Sequence, residues 1–330
     1  MLSIVIPVCD EAESLETLWH ELDAVARDAG LDLEVLLVDD GSTDGSWDVI
    51  RRLAAADPRV GGVRLRRNFG KAAALAAGFA AVRGERVMTL DADLQDDPRE
   101  IPRFLAALDE GFDVISGWKR VRHDPWHKVI PSRIFNWMVS RITGVRLHDH
   151  NCGMKCYRRE VLTEVRLYGE LHRFIPVLAH ARGFRVGELV IQHRPRRHGR
   201  SKYGPARFIK GFLDLLTVKF LTGYGHRPQH LLGTLGLVSV ALGGLGLAYL
   251  AGYWIWARLH PEQGLLPLHQ RPAVMYSLAA LLFGGQMLSM GLLAELLTAY
   301  QGREQLPYSV AERTAPPSSN PSSHPHTTHA

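Results

Sequence analysis

The chain has 330 residues, 46% hydrophobic and 22% charged, ordinary values for a folded protein with material for a sizeable core. The formal net charge of +5 suits an anionic ligand, an anionic membrane surface or nucleic acid and does not choose among them. Cys9, Cys152 and Cys156 match neither a disulfide framework nor a zinc site in number or spacing, which points to reduced thiols in a cytosolic setting.

The first apolar run, residues 2–8, is broken by Pro7 and has neither a basic flank nor a cleavage pattern, so no signal peptide is read there. Further short runs at 34–38, 62–65, 86–90 and 113–116, rich in Val, Ile and Leu, predict strands. Amphipathic stretches at 12–29, 46–55, 71–82 and 99–109 predict helices between them. Such alternation predicts an α/β domain with a parallel sheet covered on both faces, whose ligands gather at the carboxyl ends of the strands.

From residue 205 to 224 Phe208, Ile209, Phe212, Leu213, Leu216 and Phe220 alternate with Arg207, Lys210, Asp214 and Lys219, the pattern of a helix in a membrane interface or packed on a core. Residues 231–257 and 272–294 carry no charge, and each run is long enough to cross a bilayer. Lys202, Arg207, Lys210, Lys219 and Arg227 crowd the approach to the first span, whereas the connection between spans holds only Arg258, Glu262 and Arg271. The excess of positive charge puts the approach, and with it the first two hundred residues, on the cytoplasmic side of an inner membrane. The expected division is a catalytic domain at 1–204, a juxtamembrane segment at 205–228, a two-helix hairpin at 229–300 and a disordered Pro-, Ser- and His-rich tail at 301–330. Gly233, Gly236, Gly243 and Gly246 offer small faces for packing spans together.

Three predicted strands run into polar clusters: "PVCDEAESL", "VDDGSTDGS" and "LDADLQDDP". A single cluster is weak evidence, because Asp and Gly also cap helices and make turns. Three on one edge of a parallel sheet make a concave acidic site. That site would repel a bare diphosphate unless a divalent cation bridged carboxylate and phosphate oxygens. Asp91 and Asp93, two apart in extended chain, can face one ligand together, although a helix cap ahead of Pro98 is the competing reading.

In order along the chain, "SIVIPVCDEAESL", "LLVDDGSTDGS", "RNFGKAAALAAGF", "LDADLQDDP", "DHNCGMKCYRREV", "ELHRFIPVLA" and "HRPRRHGRSKYG" resemble the family 2 glycosyltransferases. The branch they are most similar to makes polyprenyl-phosphate sugars and includes dolichol-phosphate mannose synthases and bactoprenol glucosyltransferases. The resemblance implies a GT-A nucleotide-diphospho-sugar transferase domain, followed here by amphipathic juxtamembrane helices and two transmembrane helices. It implies a nucleotide-diphosphate sugar donor, Mg²⁺ or Mn²⁺, a polyprenyl phosphate acceptor and inversion at the anomeric centre.

By the same resemblance Pro7, Val8 and Glu11 lie on the nucleobase side of the donor, with Asp10 where the family usually has Asn. Asp39 and Asp40 would hold base and ribose, and Gly70 and Lys71 would approach the diphosphate at a helix start. Asp91, Ala92, Asp93 and Gln95 would surround the donor and metal. The acceptor phosphate would meet Lys119, Arg122, Arg133, Arg200, Ser201 and Lys202, with Arg173 in a further layer. Asp149 is the candidate base, or positions the acceptor, because a phosphate monoester with a second pKa of about 6 is already largely ionised near neutrality. Trp118, Trp126 and Trp137 read as interface packing rather than sugar platforms.

Two alternatives are a processive polysaccharide synthase and an inactive membrane scaffold. The first is disfavoured by the lack of a Gln-x-x-Arg-Trp motif, and the second by intact acids at Asp91, Asp93 and Asp149. No Gly-x-Gly-x-x-Gly turn follows the first strand, which argues against a dinucleotide. Basic residues placed before membrane spans argue against nucleic acid. The sugar and the choice of UDP or GDP stay open, as do a homo-oligomer and a partner that flips the lipid-sugar product.

Overall fold

The computed structural model describes residues 1–120, 126–165, 167, 169, 171–194, 206–224, 228–261 and 266–301. Its strands are β1 (Leu2–Val8), β2 (Leu33–Asp39), β3 (Val60–Arg64), β4 (Arg86–Thr89), β5 (Val114–Lys119), β6 (Lys155–Arg158) and β7 (Val186–Ile191). They form one sheet in the order β3-β2-β1-β4-β6-β5-β7. The helices are α1 (Ala12–Asp28), α2 (Ser46–Ala56), α3 (Lys71–Ala81), α4 (Ile101–Asp109), α5 (Trp126–Thr143), α6 (Arg159–Glu164), α7 (Ile175–Ala181), α8 (Ala206–Tyr224), α9 (Pro228–Leu259) and α10 (Pro272–Gln301).

The central strand β1 is buried on both faces. Ile4 and Ile6 pack with Leu15, Leu18 and Leu22 of α1 and with Ile101, Phe104 and Leu108 of α4. Val5 points the other way, onto Ala74 and Leu75 of α3. Each such side chain contributes about 1.5–3 kcal/mol by leaving water, so the apolar runs of the first ninety residues settle the parallel half of the sheet.

The sheet is not parallel throughout, which corrects the expectation from sequence. β6 runs antiparallel to both β4 and β5, while β5 and β7 are parallel. The reason is the path of the chain. After β5 it does not return to the opposite edge, but continues through α5 and the 144–154 loop at the carboxyl edge. A strand entered from that edge runs back down, which is why Lys155, the first residue of β6, lies opposite Thr89 near the end of β4.

Leu215 and Val218 of α8 are buried in a second core with Val139 of α5, Leu147, Phe174 and Val177, whereas Leu213 and Leu216 are exposed. α8 therefore uses one stripe to dock against α5 and α7 and presents another outward. α9 and α10 are long and apolar enough to cross a membrane, α9 spanning about 48 Å at 1.5 Å per residue, and they pack along one another. A Cβ on Gly236 would lie 2.9 Å from the Gly284 carbonyl oxygen, and one on Gly243 would lie 2.7 Å from that of Ser277. The small faces expected to join spans therefore serve contact within this hairpin. Glu295 accepts the backbone N–H of Gln229 at 3.2 Å, setting a carboxylate at the start of α9 where the helix dipole favours it.

Candidate active site

The segment 68–71 ties three strand ends together. Asn68 Nδ2 donates to Cys9 Sγ at 3.3 Å, beyond β1. The N–H groups of Phe69 and Gly70 donate to the two oxygens of Asp40 at 2.7 and 2.9 Å, beyond β2. Lys71 Nζ then reaches Asp91 Oδ1, beyond β4. Gly70 takes φ +95° at the turn into α3, a conformation open to glycine. Asp40 thus holds the loop that carries Lys71. Asp39 is wholly buried, accepting from Ser42 N at 2.9 Å and facing Arg64 Nε at 3.4 Å.

At the end of β1, Asp10 takes φ +54° and accepts from the backbone N and the Oγ1 of Thr43 at 2.8 and 3.3 Å. Glu11 N donates to Ser46 Oγ at 3.0 Å. Pro7 is half-buried. Val8 and Ala92, expected beside the donor, have side chains in the core, so only their backbones are placed to meet a ligand.

The acidic run after β4 is folded back on itself. Asp93 Oδ1 accepts the Gln95 N–H at 3.2 Å, and the intervening Leu94 takes φ +59°, a strained value for a branched side chain. Asp96 is buried and lies 2.8 Å from Lys119 Nζ at the end of β5. Asp97 meets Arg194 Nη2 at 2.8 Å, and Gln95 O accepts the Arg194 N–H at 2.9 Å, so the chain leaving β7 is clamped to this loop.

A groove of about 630 Å³ opens beside Asp149, lined by Trp118, Lys119 and Arg120 from the end of β5, by Arg133, Asn136 and Trp137 of α5, and by Arg146 and His148. Asp149 is buried, with Asn151 N donating to its Oδ1 at 3.1 Å. Helix α5 holds its loop: Asn136 Nδ2 donates to His148 O at 2.9 Å and Ser140 Oγ to Leu147 O at 3.0 Å. Trp118 stacks on His148 with ring centroids 3.9 Å apart, while Trp137 is exposed. Of the expected acceptor residues, Arg133 and Lys119 line the groove, and the Lys119 ammonium turns inward to Asp96. Arg122, Arg200, Ser201, Lys202, the Trp126 side chain and the tail lie outside the described residues.

Residues 3–166 match glycosyl transferase family 2. Over 305 residues the chain is 38% identical to a dodecaprenyl-phosphate galacturonate synthase from Rhizobium johnstonii, covering 90% of this chain and 87% of that protein. The chain belongs to glycosyl transferase family 2. This glycosyltransferase is also 38% identical over 301 residues to an undecaprenyl-phosphate 4-deoxy-4-formamido-L-arabinose transferase from Aeromonas hydrophila, covering 90% and 88% of the two chains. Among solved structures, glucosyl-3-phosphoglycerate synthase from Mycobacterium tuberculosis, in complex with Mn²⁺, UDP and phosphoglyceric acid, aligns with a TM-score of 0.53 at 20% identity, over 66% of this chain and 78% of that one. At that identity the likeness carries the fold alone, which is the GT-A arrangement.

The electrostatics of this glycosyltransferase follow from burying cations among acids. Burial opposes charge on Asp91, but Lys71, Lys119 and Lys155 outweigh it and hold the carboxyl down at about 2. Burial pulls Lys155 down to about 8, its ammonium donating to Cys152 O beneath the site. Burial opposes charge on Lys119 as well, yet Asp96 more than compensates and keeps it raised. Burial, with Lys71, Arg173 and Lys155 nearby, lowers His172 to about 2 and leaves its ring neutral. Arg173 is buried beside it, on the one-turn helix Leu171–Phe174.

Among the described residues no group of three or more His, Cys, Asp or Glu side chains is arranged to hold a metal. Asp91 and Asp93 fit a cation that keeps several waters and takes substrate phosphate oxygens, as Mg²⁺ does with one or two carboxylates. The sequence reading did not single out Arg120, Arg146, His148, Gly153, Lys155 or Glu188. Gly153 and Lys155 stand inside the motif "NCGMK" and were within reach; Glu188, a single acid in the strand "VGELVI", carried no signal of its own.

Proposed function

We propose that the chain transfers a sugar from a nucleotide-diphosphate donor to a polyprenyl phosphate at the cytoplasmic face of an inner membrane, with inversion and with Mg²⁺ or Mn²⁺. One observation carries the reading: an arginine-bearing groove that ends on Asp149 adjoins, through the Lys119–Asp96 pair, the strand edge where Lys71 meets Asp91. Two relatives named for transfer to dodecaprenyl and undecaprenyl phosphate support the acceptor class. The two apolar helices α9 and α10 support a membrane hairpin beyond a catalytic domain ending near residue 204.

The donor lies along the ends of β1, β2 and β4, its base side toward Asp10, Glu11 and Asp39 and its diphosphate toward Gly70 and Lys71. Asp91, Asp93 and Gln95 would hold the cation, which when bound would screen charge on the departing diphosphate. Lys71 and Arg173 add fixed positive charge on the same side. On the acceptor side Arg133 offers a forked donor to phosphate, and Asp149 positions the attacking group. Nothing strong is needed as a base, since a phosphate monoester with a second pKa of about 6 is mostly dianionic at neutral pH. Alignment of two anions is the harder task, and pre-organised geometry supplies it.

Purified enzyme incubated with undecaprenyl phosphate and a panel of UDP- and GDP-sugars, including galacturonate and 4-deoxy-4-formamido-L-arabinose donors, tests the proposal. A single lipid-linked sugar, lost with EDTA and in Asp93→Ala, is the expected result. Absence of lipid product from every donor, by enzyme that still binds nucleotide, would overturn it.

A further inference from the structure

The mechanism above leaves unused a pair of side chains beside the groove. His148 Nδ1 lies 2.7 Å from Glu188 Oε2, and Glu188 Oε1 accepts the backbone N–H of His148 at 2.8 Å and of Asp149 at 3.1 Å. The Glu188 side chain is 12% exposed and that of His148 65% exposed, so the carboxylate is the fixed partner and the imidazole the open one. The ring lies within 12° of parallel to Trp118, which fixes its plane. An imidazole engaged through Nδ1 by a carboxylate keeps Nε2 for another partner. The charged groups around it are Lys119 at the end of β5 and Arg120 just beyond it, Arg133 from α5, Arg146 and Asp149 from its own loop, and Glu188 from β7.

We propose that His148, aimed by Glu188, binds the phosphate of the lipid acceptor and shares that phosphate's last proton. This rests on the groove taking the acceptor, as read above. A phosphate monoester has a second pKa of about 6, so near neutrality part of it still carries its last proton. Either Nε2–H donates to a dianionic phosphate, or neutral Nε2 accepts from a P–O–H group; the proton count of the complex is the same. An unprotonated phosphate oxygen forms the bond to the anomeric carbon. The bond from that carbon to the donor diphosphate breaks, and its electron pair leaves on the nucleoside diphosphate. The proton remains on Nε2 and is released to water after the product departs. Glu188 touches no substrate in this scheme and is a positioning residue for both His148 and Asp149.

The test uses full-length enzyme in detergent, undecaprenyl phosphate, and the nucleotide sugar that gives product with the wild type. His148→Gln should raise the KM for undecaprenyl phosphate about tenfold at pH 6.5, the scale of one hydrogen bond to a charged group, with donor KM unchanged. At pH 8.5, well above the phosphate's second pKa of about 6, the phosphate has no proton left to share and the ratio of KM values should fall toward one. Glu188→Gln loses the carboxylate that orients the ring and holds the His148 and Asp149 N–H groups, so acceptor KM should rise as in His148→Gln while donor KM stays unchanged. An unchanged acceptor KM in His148→Gln at pH 6.5, or a ratio equal at both pH values, would overturn the inference; nucleotide binding by calorimetry certifies that the variants fold. If the wild type itself makes no lipid product, the acceptor reading fails and this inference with it. Normal wild-type turnover beside an indifferent His148→Gln removes the inference alone.

Discussion

Gly153→Ala should disable the site with little cost to the fold. A Cβ built at Gly153 would lie 2.4, 2.5 and 2.7 Å from Oδ2, Cγ and Oδ1 of Asp91. The backbone there has little room to yield. Thr89 Oγ1 donates to Gly153 O at 2.7 Å, Gly117 N donates to Met154 O at 2.9 Å, and β6 begins one residue later. The Asp91 carboxylate must therefore shift by about 1 Å to reach ordinary carbon contact distance, out of the position in which Lys71 now holds it. A misplacement of about 1 Å costs on the order of 10²-fold in rate, equivalent to about 2.7 kcal/mol of transition-state stabilisation. Overpacking itself costs about 1–3 kcal/mol of stability, less where the crowded group borders solvent as Asp91 does. The assay is kcat/KM for lipid-linked sugar beside thermal unfolding of the same preparation. A variant within threefold of wild type in kcat/KM would show that the Asp91 position is not set by this contact, and the reasoning would fail.

Lys71→Met removes the ammonium that holds Asp91, so free Mn²⁺, followed by electron paramagnetic resonance, should bind more tightly while UDP binds about tenfold more weakly; unchanged affinity for both would refute the assigned contact. Burial, with Lys155 nearby, holds His150 at about 3, neutral in the folded protein, and its Nε2 lies 3.0 Å from Ser140 Oγ. The unfolded chain gains that proton below about pH 6.5, so stability falls as pH drops from there toward 3. His150→Gln should flatten the fall in denaturant midpoint between pH 7 and 4, and an identical slope would count against it. Ile134 and Trp137 stand 60% and 69% exposed on α5; charging both to Glu should weaken activity on acceptor in vesicles, and sparing it would deny α5 a place at the bilayer. A Cβ on Gly284 would lie 2.7 Å from Gly236 O, so Gly284→Leu should force the hairpin apart and lower the thermal midpoint in detergent, whereas an unchanged midpoint would mean that the spans do not pack there.

The gathering of Asp40, Lys71 and Asp91 at one strand edge was legible because its signals are local. Each of β1, β2 and β4 is an apolar run that ends in acids or a polar turn, and strand periodicity alone brings those ends to one edge. The segments read as α1, α2 and α3 begin where α1, α2 and α3 begin in the structure. Much of the groove beside Asp149 was not legible, for a different reason. β6 has only the four residues Lys155–Arg158 and carries a cation at each end, so no hydrophobic period announces it. Its direction depends on where α5 and the 144–154 loop leave the chain, which is a tertiary fact. Glu188 has meaning only through the loop it meets, forty positions away in sequence. Lys119 shows the converse error of emphasis: a lysine near a motif reads as a phosphate ligand, whereas the fold gives its charge to Asp96.

If the groove takes the acceptor as proposed, the reversed strand is what lets one site serve two anions. Parallel strands deliver Asp39, Asp91 and the Lys71 loop to the carboxyl edge, a donor surface. By entering from that same edge, β6 brings Gly153 against Asp91 and follows directly from the loop of Asp149, so the acceptor surface abuts the donor surface without a domain boundary between them. Four acids, Asp91, Asp93, Asp96 and Asp149, then meet four cations, Lys71, Lys119, Lys155 and Arg173, within one neighbourhood. Such a site is close to neutral before any substrate arrives. A diphosphate and a phosphate monoester bring about four negative charges between them at neutral pH, more than the fixed cations can balance while they are engaged with acids. On the proposed reading, that imbalance is the physical reason a divalent cation would be needed beside Asp91 and Asp93, and why Arg120, Arg133, Arg146 and the Glu188-held His148 would serve the acceptor. Removing Asp91 or Asp93 and removing Arg133 or Arg146 should therefore shift donor and acceptor KM separately, although the two surfaces share a wall.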